Sequence, residues 1–186
     1  MPSCSTEING LKLLHANPCY AHDVFATVAD NRSYLRQWLP WVDPTQTVED
    51  TRLFLATCQQ KYAMQKQFTT LMYLHGQFIG IAGYNDLNHA NHTGEIGYWM
   101  AMHCQGKGFM SAAVRKIIEL GFNNFDLNRQ VIRAAVDNKP SRAVAERLGF
   151  TYEGVERQSA NLNGRYLDMA VYSLLKQEWL EQQPED

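Results

Sequence analysis

The sequence predicts a single α+β (α/β) domain in which helices flank a mixed, mostly antiparallel sheet. Apolar runs separated by turn signals recur through the middle and the C-terminal third, which is the pattern of successive hairpins. One strand instead leads through a glycine loop and an amphipathic helix to the next strand, and such a crossover connects parallel strands. The length of 186 residues suits one domain, so residues 1–186 are expected to form one unit.

The first third is predicted to be mostly helical after a short strand at 11–14. A helix at 20–30 carries its apolar residues on one side, and a short second helix ends before Pro40, which cannot continue a helix. A third helix is predicted at 47–66, because Thr47 can cap its first turn and an apolar stripe follows.

The middle of the chain is predicted to form three antiparallel strands, at 68–74, 78–84 and 94–101. The first two are separated by His-Gly-Gln, a turn signal, and a turn-rich segment at 85–92 leads to the third. An amphipathic helix at 111–125 follows the third strand after the glycine loop.

The C-terminal third is predicted to contribute one more strand, a short helix and a hairpin around the favoured turn pair Asn163 and Gly164. Gly149 follows the short helix, as glycine commonly does at a helix C-terminus. The predicted spans are 129–136 for the strand, 141–148 for the helix, 150–157 and 166–174 for the hairpin strands, and 177–186 for a charged tail.

Composition excludes several classes of function. The net charge of -2, from 17 basic and 19 acidic residues, gives no basic footprint for nucleic acid. No apolar run approaches the roughly 20 residues of a membrane helix, and the N-terminus lacks the regions of an export signal. A cytoplasmic location is therefore expected, with the four scattered cysteines reduced. His89 and His92 have no further ligand types beside them, so no metal is expected.

Residues 105–110, Gln-Gly-Lys-Gly-Phe-Met, favour the binding of an anion. They contain no proline, and they lead into a helix whose first N–H groups lack internal partners. A mononucleotide P-loop would need Ser or Thr after Lys107, where Gly108 stands. A dinucleotide fingerprint would need a third glycine where Ser111 stands. An ordinary strand-to-helix turn is the alternative without a ligand.

The loop resembles the Gln/Arg-x-x-Gly-x-Gly/Ala signature of the GNAT N-acetyltransferases, with Met110 where that signature prefers glycine or alanine. The segment at 138–150 resembles the Asn-x-x-Ser and Leu-Gly-Phe segment of the same superfamily, in family order and spacing. Further similarity to the RimL/RimJ branch, whose members acetylate the N-termini of ribosomal proteins, lies at 38–41, 94–99, 148–154 and 162–168. The resemblance covers nearly the whole chain.

The resemblance implies the GNAT fold, with a V-shaped splay between strands at about 96–102 and 130–136 that admits acetyl-CoA. In this family the backbone amides of the loop bind the pyrophosphate, and a strand N–H polarises the thioester carbonyl. Lys107 can add a point charge or remain a solvated lysine. The residues implied in binding acetyl-CoA are Met100, Met102, Gln105, Gly106, Lys107, Gly108, Phe109, Met110, Asn138 and Ser141.

Acetyl transfer needs a neutral amine and a proton donor for the departing thiolate. The resemblance makes Ser141 the predicted general acid, with helix capping as its structural alternative. Glu95 is the first predicted base and Glu153 is the second, with a surface position as the alternative for either. An α-amine has a pKa of ~8 and needs only weak assistance from a base. Cys104 has two alternative roles, as a covalent carrier of the acetyl group or as a packing residue.

Trp38, Trp41 and Tyr98 are the predicted acceptor-binding residues, with core packing as the alternative for the tryptophans. The predicted function is acetyl-CoA-dependent N-acetylation of a primary amine, first of all the N-terminal α-amine of a (ribosomal) protein. A polyamine, antibiotic or amino acid is the alternative acceptor, and a non-catalytic acyl-CoA-binding sensor is the alternative of another class. No nucleic acid or membrane partner is expected, and a homodimer that completes the acceptor groove stays open.

Overall fold

A computed structural model describes residues 4–182. Eight strands form one sheet in the order β1-β2-β3-β4-β5-β6-β8-β7. The strands are β1 (Cys4–Ser5), β2 (Leu11–His15), β3 (Phe68–Leu74), β4 (Gln77–Asn88), β5 (Thr93–Met100), β6 (Arg129–Ala135), β7 (Thr151–Leu162) and β8 (Arg165–Leu175). The helices are α1 (Ala21–Asp30), α2 (Arg32–Leu35), α3 (Val48–Ala63), α4 (Phe109–Asn124), α5 (Lys139–Arg147) and α6 (Lys176–Glu181), and short 3-10 turns lie at Pro18–Tyr20, Pro40–Val42 and Met102–Cys104.

The sheet opens between β5 and β6, which form its parallel pair. Their ladder runs from Thr93 opposite Arg129 to Ile96 opposite Ile132 and ends there. The last four residues of β5 continue to pair with β4, and the rest of β6 continues to pair with β8. One edge of β5 therefore faces an opening instead of a strand, and the predicted V-shaped splay is confirmed.

Helices cover both faces of the sheet, because successive residues of a strand point to opposite sides. On β3, Leu71 packs in a cluster with Val24 of α1 and Leu55 of α3, whereas its neighbour Met72 packs in the cluster that contains Ile117 of α4. The α4 helix is thus fixed on β4 and β5 by its apolar side. This packing positions the glycine loop, which is continuous with the first turn of α4.

The predicted elements differ from the observed ones mainly at their ends. The capping box at Thr47 is present, since its hydroxyl accepts from the Asp50 N–H at 3.2 Å and the Asp50 carboxylate accepts from the Thr47 N–H at 2.8 Å. The predicted turn at 85–92 is too long: β4 continues to Asn88 and pairs with β5 around an irregularity at Asn85.

The predicted charged tail at 177–186 is wrong for its described part. Residues Lys176–Glu181 form α6, in which Trp179 is buried and its ring lies 6.3 Å from that of Phe122. The Glu178 carboxylate accepts from the Leu175 N–H at 2.8 Å and caps the helix. Residues 183–186 lie outside the described part. Between residues 4 and 182, no helix has the length and the apolar character that a membrane crossing requires.

Candidate active site

The glycine loop forms an open cradle at the start of α4. Gly106 and Gly108 have φ angles of +73° and +81°, a left-handed conformation that glycine adopts without steric cost. A Cβ atom on either glycine would meet nothing within 4 Å, so both face open space. The Gly108 carbonyl accepts the first helical bond, from the Ala112 N–H at 3.0 Å. The N–H groups of the first turn are left for an anion, which the helix dipole also favours.

Beside this cradle lies a cavity of about 380 Å³, here called the loop cleft. It is lined by Tyr34, Leu35, Trp38, Leu39, Tyr98, Trp99, Met100, Gln105, Gly106, Gly108, Met110, Ser111, Asn138, Pro140, Ser141, Ala143, Val144 and Arg147. Among these described residues, Arg147 alone carries a charged side chain, and its guanidinium donates to the Ser111 hydroxyl at 2.8 Å. A cation next to the first turn of α4 adds a second source of attraction for a phosphate.

Two residues of the N-terminal helical segment, one in the turn between α1 and α2 and one in α2, anchor the start of the loop. The buried Asn31 accepts at its side-chain oxygen from the Met102 N–H at 2.8 Å. The Gln105 side-chain amide donates to the Tyr34 hydroxyl at 2.5 Å. Neither anchor was predictable from a local pattern, because each contact joins residues 71 positions apart.

A second cavity of about 640 Å³, the hairpin cleft, adjoins the loop cleft. It is bounded by residues of β4, β5 and β6, by the β7 and β8 hairpin, and by the segment around Trp41. The residues that line both clefts are Trp38, Leu39, Tyr98, Trp99, Asn138 and Ser141. A group bound in one cleft can therefore meet a group bound in the other at these residues.

Ser141 and Tyr98 form a hydrogen-bonded pair at this junction. The Ser141 hydroxyl donates to the Tyr98 oxygen at 3.4 Å, and the Tyr98 hydroxyl donates to the Ser141 carbonyl at 2.8 Å. Burial raises the pKa of Tyr98 to about 12, so its phenol stays protonated at neutral pH. Helix capping by Ser141 is ruled out, because Asn138 is the cap and accepts from the Ser141 N–H at 3.3 Å. The Ser141 hydroxyl is thus free of a capping role.

The two carboxylates considered as bases lie in different places. Glu95 lines the hairpin cleft, where it accepts from Arg133 at 2.6 Å. Glu153 is on β7 outside both clefts, and a two-pronged pair with Arg129 at 2.5 and 2.6 Å lowers its pKa to about 2. A carboxylate with so low a pKa is a weak base, so Glu153 is unsuited to the role.

The structure gathers most of the predicted site residues around the two clefts. Met102, Lys107 and Phe109 lie outside the lining of the loop cleft, and Arg147, which sequence analysis missed, lies in it. The other predicted acetyl-CoA residues line the loop cleft, namely Met100, Gln105, Gly106, Gly108, Met110, Asn138 and Ser141.

The predicted acceptor residues line the hairpin cleft. Trp38, Trp41 and Tyr98 are all in its lining, and Trp41 also packs on Trp99 at a ring distance of 5.7 Å. Cys104 is buried, and burial raises the pKa of its thiol, which disfavours a nucleophilic thiolate. Within residues 4–182, no three His, Cys, Asp or Glu side chains come together as a metal site would require.

Comparison with known proteins assigns this architecture to a family. Residues 11–151 match the acetyltransferase (GNAT) domain. The chain is 32% identical over 172 residues to a ribosomal-protein-serine acetyltransferase of Escherichia coli (strain K12), in a match that covers 91% of this chain and 92% of that one.

Two solved structures share the fold. RimL, a ribosomal L7/L12 α-N-protein acetyltransferase in complex with coenzyme A, has a TM-score of 0.90 at 27% identity and covers 95% of this chain and 99% of its own. The microcin C7 self-immunity acetyltransferase MccE, in complex with acetyl-CoA and AMP, has a TM-score of 0.87 at 30% identity and covers 90% of this chain and 93% of its own. With its splayed sheet, its glycine loop and a domain match over most of its length, this chain belongs to the GNAT family of acetyltransferases.

Proposed function

We propose that the protein transfers an acetyl group from acetyl-CoA to the N-terminal α-amine of a protein, with ribosomal proteins as the acceptor class. The observation that carries the proposal is the meeting of the two clefts at Tyr98 and Ser141, beside the unpaired edge of β5. The names of the Escherichia coli relative and of RimL support a ribosomal acceptor. Such an acceptor is made in the cytoplasm, where the enzyme would act.

We assign the loop cleft to the acetyl donor. The pyrophosphate would lie against the backbone N–H groups of the glycine loop and the first turn of α4. The unpaired edge of β5 offers backbone donors and acceptors to the amide groups of the pantetheine arm. This arrangement would bring the thioester to the junction, where Ser141 and Asn138 lie.

The reaction is a direct acyl transfer between the two clefts. The neutral amine attacks the thioester carbonyl carbon, the tetrahedral intermediate collapses with loss of the C–S bond, and the amine loses one proton. We assign protonation of the CoA thiolate to the Ser141 hydroxyl, which lies next to the protonated Tyr98 phenol and regains a proton from solvent, into which the amine proton is released. We assign removal of the amine proton, directly or through water, to the Glu95 carboxylate, which lines the hairpin cleft together with Glu156.

The reaction should follow the ionisation of the acceptor amine. For a peptide with a free N-terminus, kcat/KM should rise with pH and level off above ~8, because raising the pH removes the ammonium proton. Tyr98, with a pKa of about 12, stays protonated over this range and causes no decline. Thiol release on a ribosomal N-terminal peptide, compared with an N-blocked peptide that carries one internal lysine, measures this profile. A rate that is higher with the lysine peptide and still rising toward pH ~10 would contradict the proposal.

Arg147 should contribute to donor affinity. Replacing it with glutamine is expected to raise the KM for acetyl-CoA about 10-fold with kcat nearly unchanged, because a charge-assisted hydrogen bond to a phosphate contributes ~1.5 kcal/mol or more. The matched control is Arg115→Gln, on the helix α4 that follows the glycine loop. Arg115 lines neither cleft, and its Nε lies 3.7 Å from the Glu7 carboxylate. Initial rates at varied acetyl-CoA separate the two variants, and an unchanged KM would remove Arg147 from the donor site.

Two further outcomes would overturn the proposed function. Tight acetyl-CoA binding without thiol release on any amine would indicate a sensor instead of an enzyme. Faster turnover of small amines than of all N-terminal peptides would indicate a small-molecule acceptor. MccE, named for microcin immunity, makes the second comparison worth including in the assay.

A further inference from the structure

A third cavity of about 370 Å³, the arginine recess, adjoins the hairpin cleft. It is lined by Arg36, Gln37, Trp38, Leu162, Asn163 and Arg165. Trp38 and Leu162 also line the hairpin cleft, so the two cavities share a wall. A chain that enters the hairpin cleft with its amine first would leave through the arginine recess.

The recess is positively charged, and Arg165 is its uncompensated cation. Within residues 4–182, no carboxylate lies within 4.0 Å of the Arg165 guanidinium, whose hydrogen bond goes to the Gln37 carbonyl at 3.4 Å. Arg36, in contrast, pairs with Asp43 at 3.0 Å, and the same carboxylate accepts from Asn163 at 3.0 Å. The Asp43 carboxylate therefore already has Arg36 as its cationic partner.

The charge has the opposite sign where β5, β6 and β7 line the hairpin cleft. There Glu95 and Glu156 share one guanidinium, that of Arg133, at 2.6 and 3.2 Å. Two carboxylates against one cation leave one negative charge, which suits an incoming ammonium group. The path is thus negative in the hairpin cleft, where the amine would lie, and positive in the arginine recess. Electrostatic complementarity of this kind selects partners.

The length of the path sets where the outer charge acts on the acceptor. Met169 of β8 lies opposite Glu156 of β7 and opposite Ala135, the last residue of β6, so it marks the negative end of the hairpin cleft. Arg165 is four residues back along β8, or roughly 13 Å at the usual rise of a strand. An extended peptide covers that distance in about four residues.

We propose that Arg165 makes the enzyme selective for acceptors with an acidic side chain near the fourth residue. The inference rests on the proposed function and narrows its substrate class to acidic N-terminal segments. It assigns Arg165 a role in specificity and none in the chemical step.

The test uses four N-terminal decapeptides of otherwise identical sequence. The acidic, neutral and basic peptides carry aspartate, asparagine or lysine as their fourth residue, and the displaced peptide carries its aspartate at the far end instead. At low salt we expect kcat/KM for the acidic peptide to exceed that for the neutral and displaced peptides about fivefold, and high salt to reduce the difference.

Variants of the enzyme assign the preference to one side chain. Arg165→Gln should abolish the preference for the acidic peptide, and Arg165→Glu should transfer it to the basic peptide. Arg157→Gln is the matched control and should keep the original preference, because Arg157 is an exposed arginine on β7 that lines none of the three cavities.

The outcomes separate this inference from the proposed function. Equal kcat/KM for the acidic and neutral peptides, with both acetylated, would overturn the selectivity and leave N-terminal acetylation intact. A preference for the acidic peptide that survives in Arg165→Glu would overturn the assignment to Arg165. No acetylation of any peptide would overturn the proposed function itself, and an amine bearing a nucleotide phosphate that reacts faster than all peptides would do the same.

Discussion

Replacing Ser141 with alanine is expected to lower kcat about 100-fold and to leave the KM for acetyl-CoA within a few-fold of its original value. The change removes the hydroxyl that we assign as proton donor, and general acid catalysis contributes roughly 10²–10⁴-fold. The Ser141 N–H, which donates to Asn138 in the helix cap, is unaffected, so α5 should stay in place. Steady-state rates of thiol release with a saturating N-terminal peptide measure the effect.

Two variants separate a chemical role for Ser141 from a structural one. Ser141→Thr keeps a hydroxyl and should retain much of the activity. Tyr98→Phe removes the phenol that lies 3.4 Å from the Ser141 hydroxyl, and its loss should be smaller, because the proton donor itself is still present. If Ser141→Ala retained full kcat, or if Tyr98→Phe cost more than Ser141→Ala, proton donation would pass from Ser141 to another group.

The fold was predictable where a local pattern decides it. The parallel pair of β5 and β6 followed from a strand, a glycine loop and a helix in sequence, and the hairpin of β7 and β8 followed from Asn163 and Gly164. The α6 helix was missed because the burial of Trp179 against Phe122 is a contact between distant parts of the chain, which no local pattern shows. The β1 strand was missed because two residues give no period to read.

The candidate site was likewise predictable where its signal is local. The glycine loop carries its own signal, since left-handed φ angles at Gly106 and Gly108 are a local requirement that the sequence displays. Its anchoring by Asn31 and the position of Arg147 are decided by hydrogen bonds between distant parts of the chain. The cap of α5 shows a local ambiguity: asparagine and serine are both good caps, and the backbone begins the helix early enough that Asn138 takes the position.

Replacing Gly121 with alanine is expected to destabilise the protein by ~1–2 kcal/mol, although the same change in most helices is stabilising. A Cβ atom at this position would collide with the Tyr84 hydroxyl and lie 2.6 Å from the Gln130 side-chain nitrogen, and both side chains are buried. Relief of these contacts would require α4 to move away from the sheet. Overpacking of this kind costs ~1–3 kcal/mol or more, which outweighs the ~1 kcal/mol that alanine gains in helix propensity.

The cost should be high because the obstructing groups hold α4 in place. The Tyr84 oxygen lies 2.6 Å from the Gln130 side-chain oxygen and 2.9 Å from the Ile117 carbonyl, and the Gln130 amide donates to the Ile118 carbonyl at 3.0 Å. These bonds tie the middle of α4 to β4 and β6. A shift of the helix would break them and also displace the glycine loop, so Gly121→Ala should weaken acetyl-CoA binding as well.

A double-mutant cycle in urea tests the mechanism. Tyr84→Phe alone should cost ~1–3 kcal/mol, since it leaves buried acceptors with one partner fewer. Combined with Gly121→Ala, it removes the nearest obstructing atom, so the double variant should be more stable than the sum of the single losses by ~1 kcal/mol. The urea midpoint at unchanged m-value measures each free energy of unfolding. Strict additivity would mean that Gly121 does not meet Tyr84, and a Gly121→Ala protein as stable as the original would show that α4 has room beside the sheet.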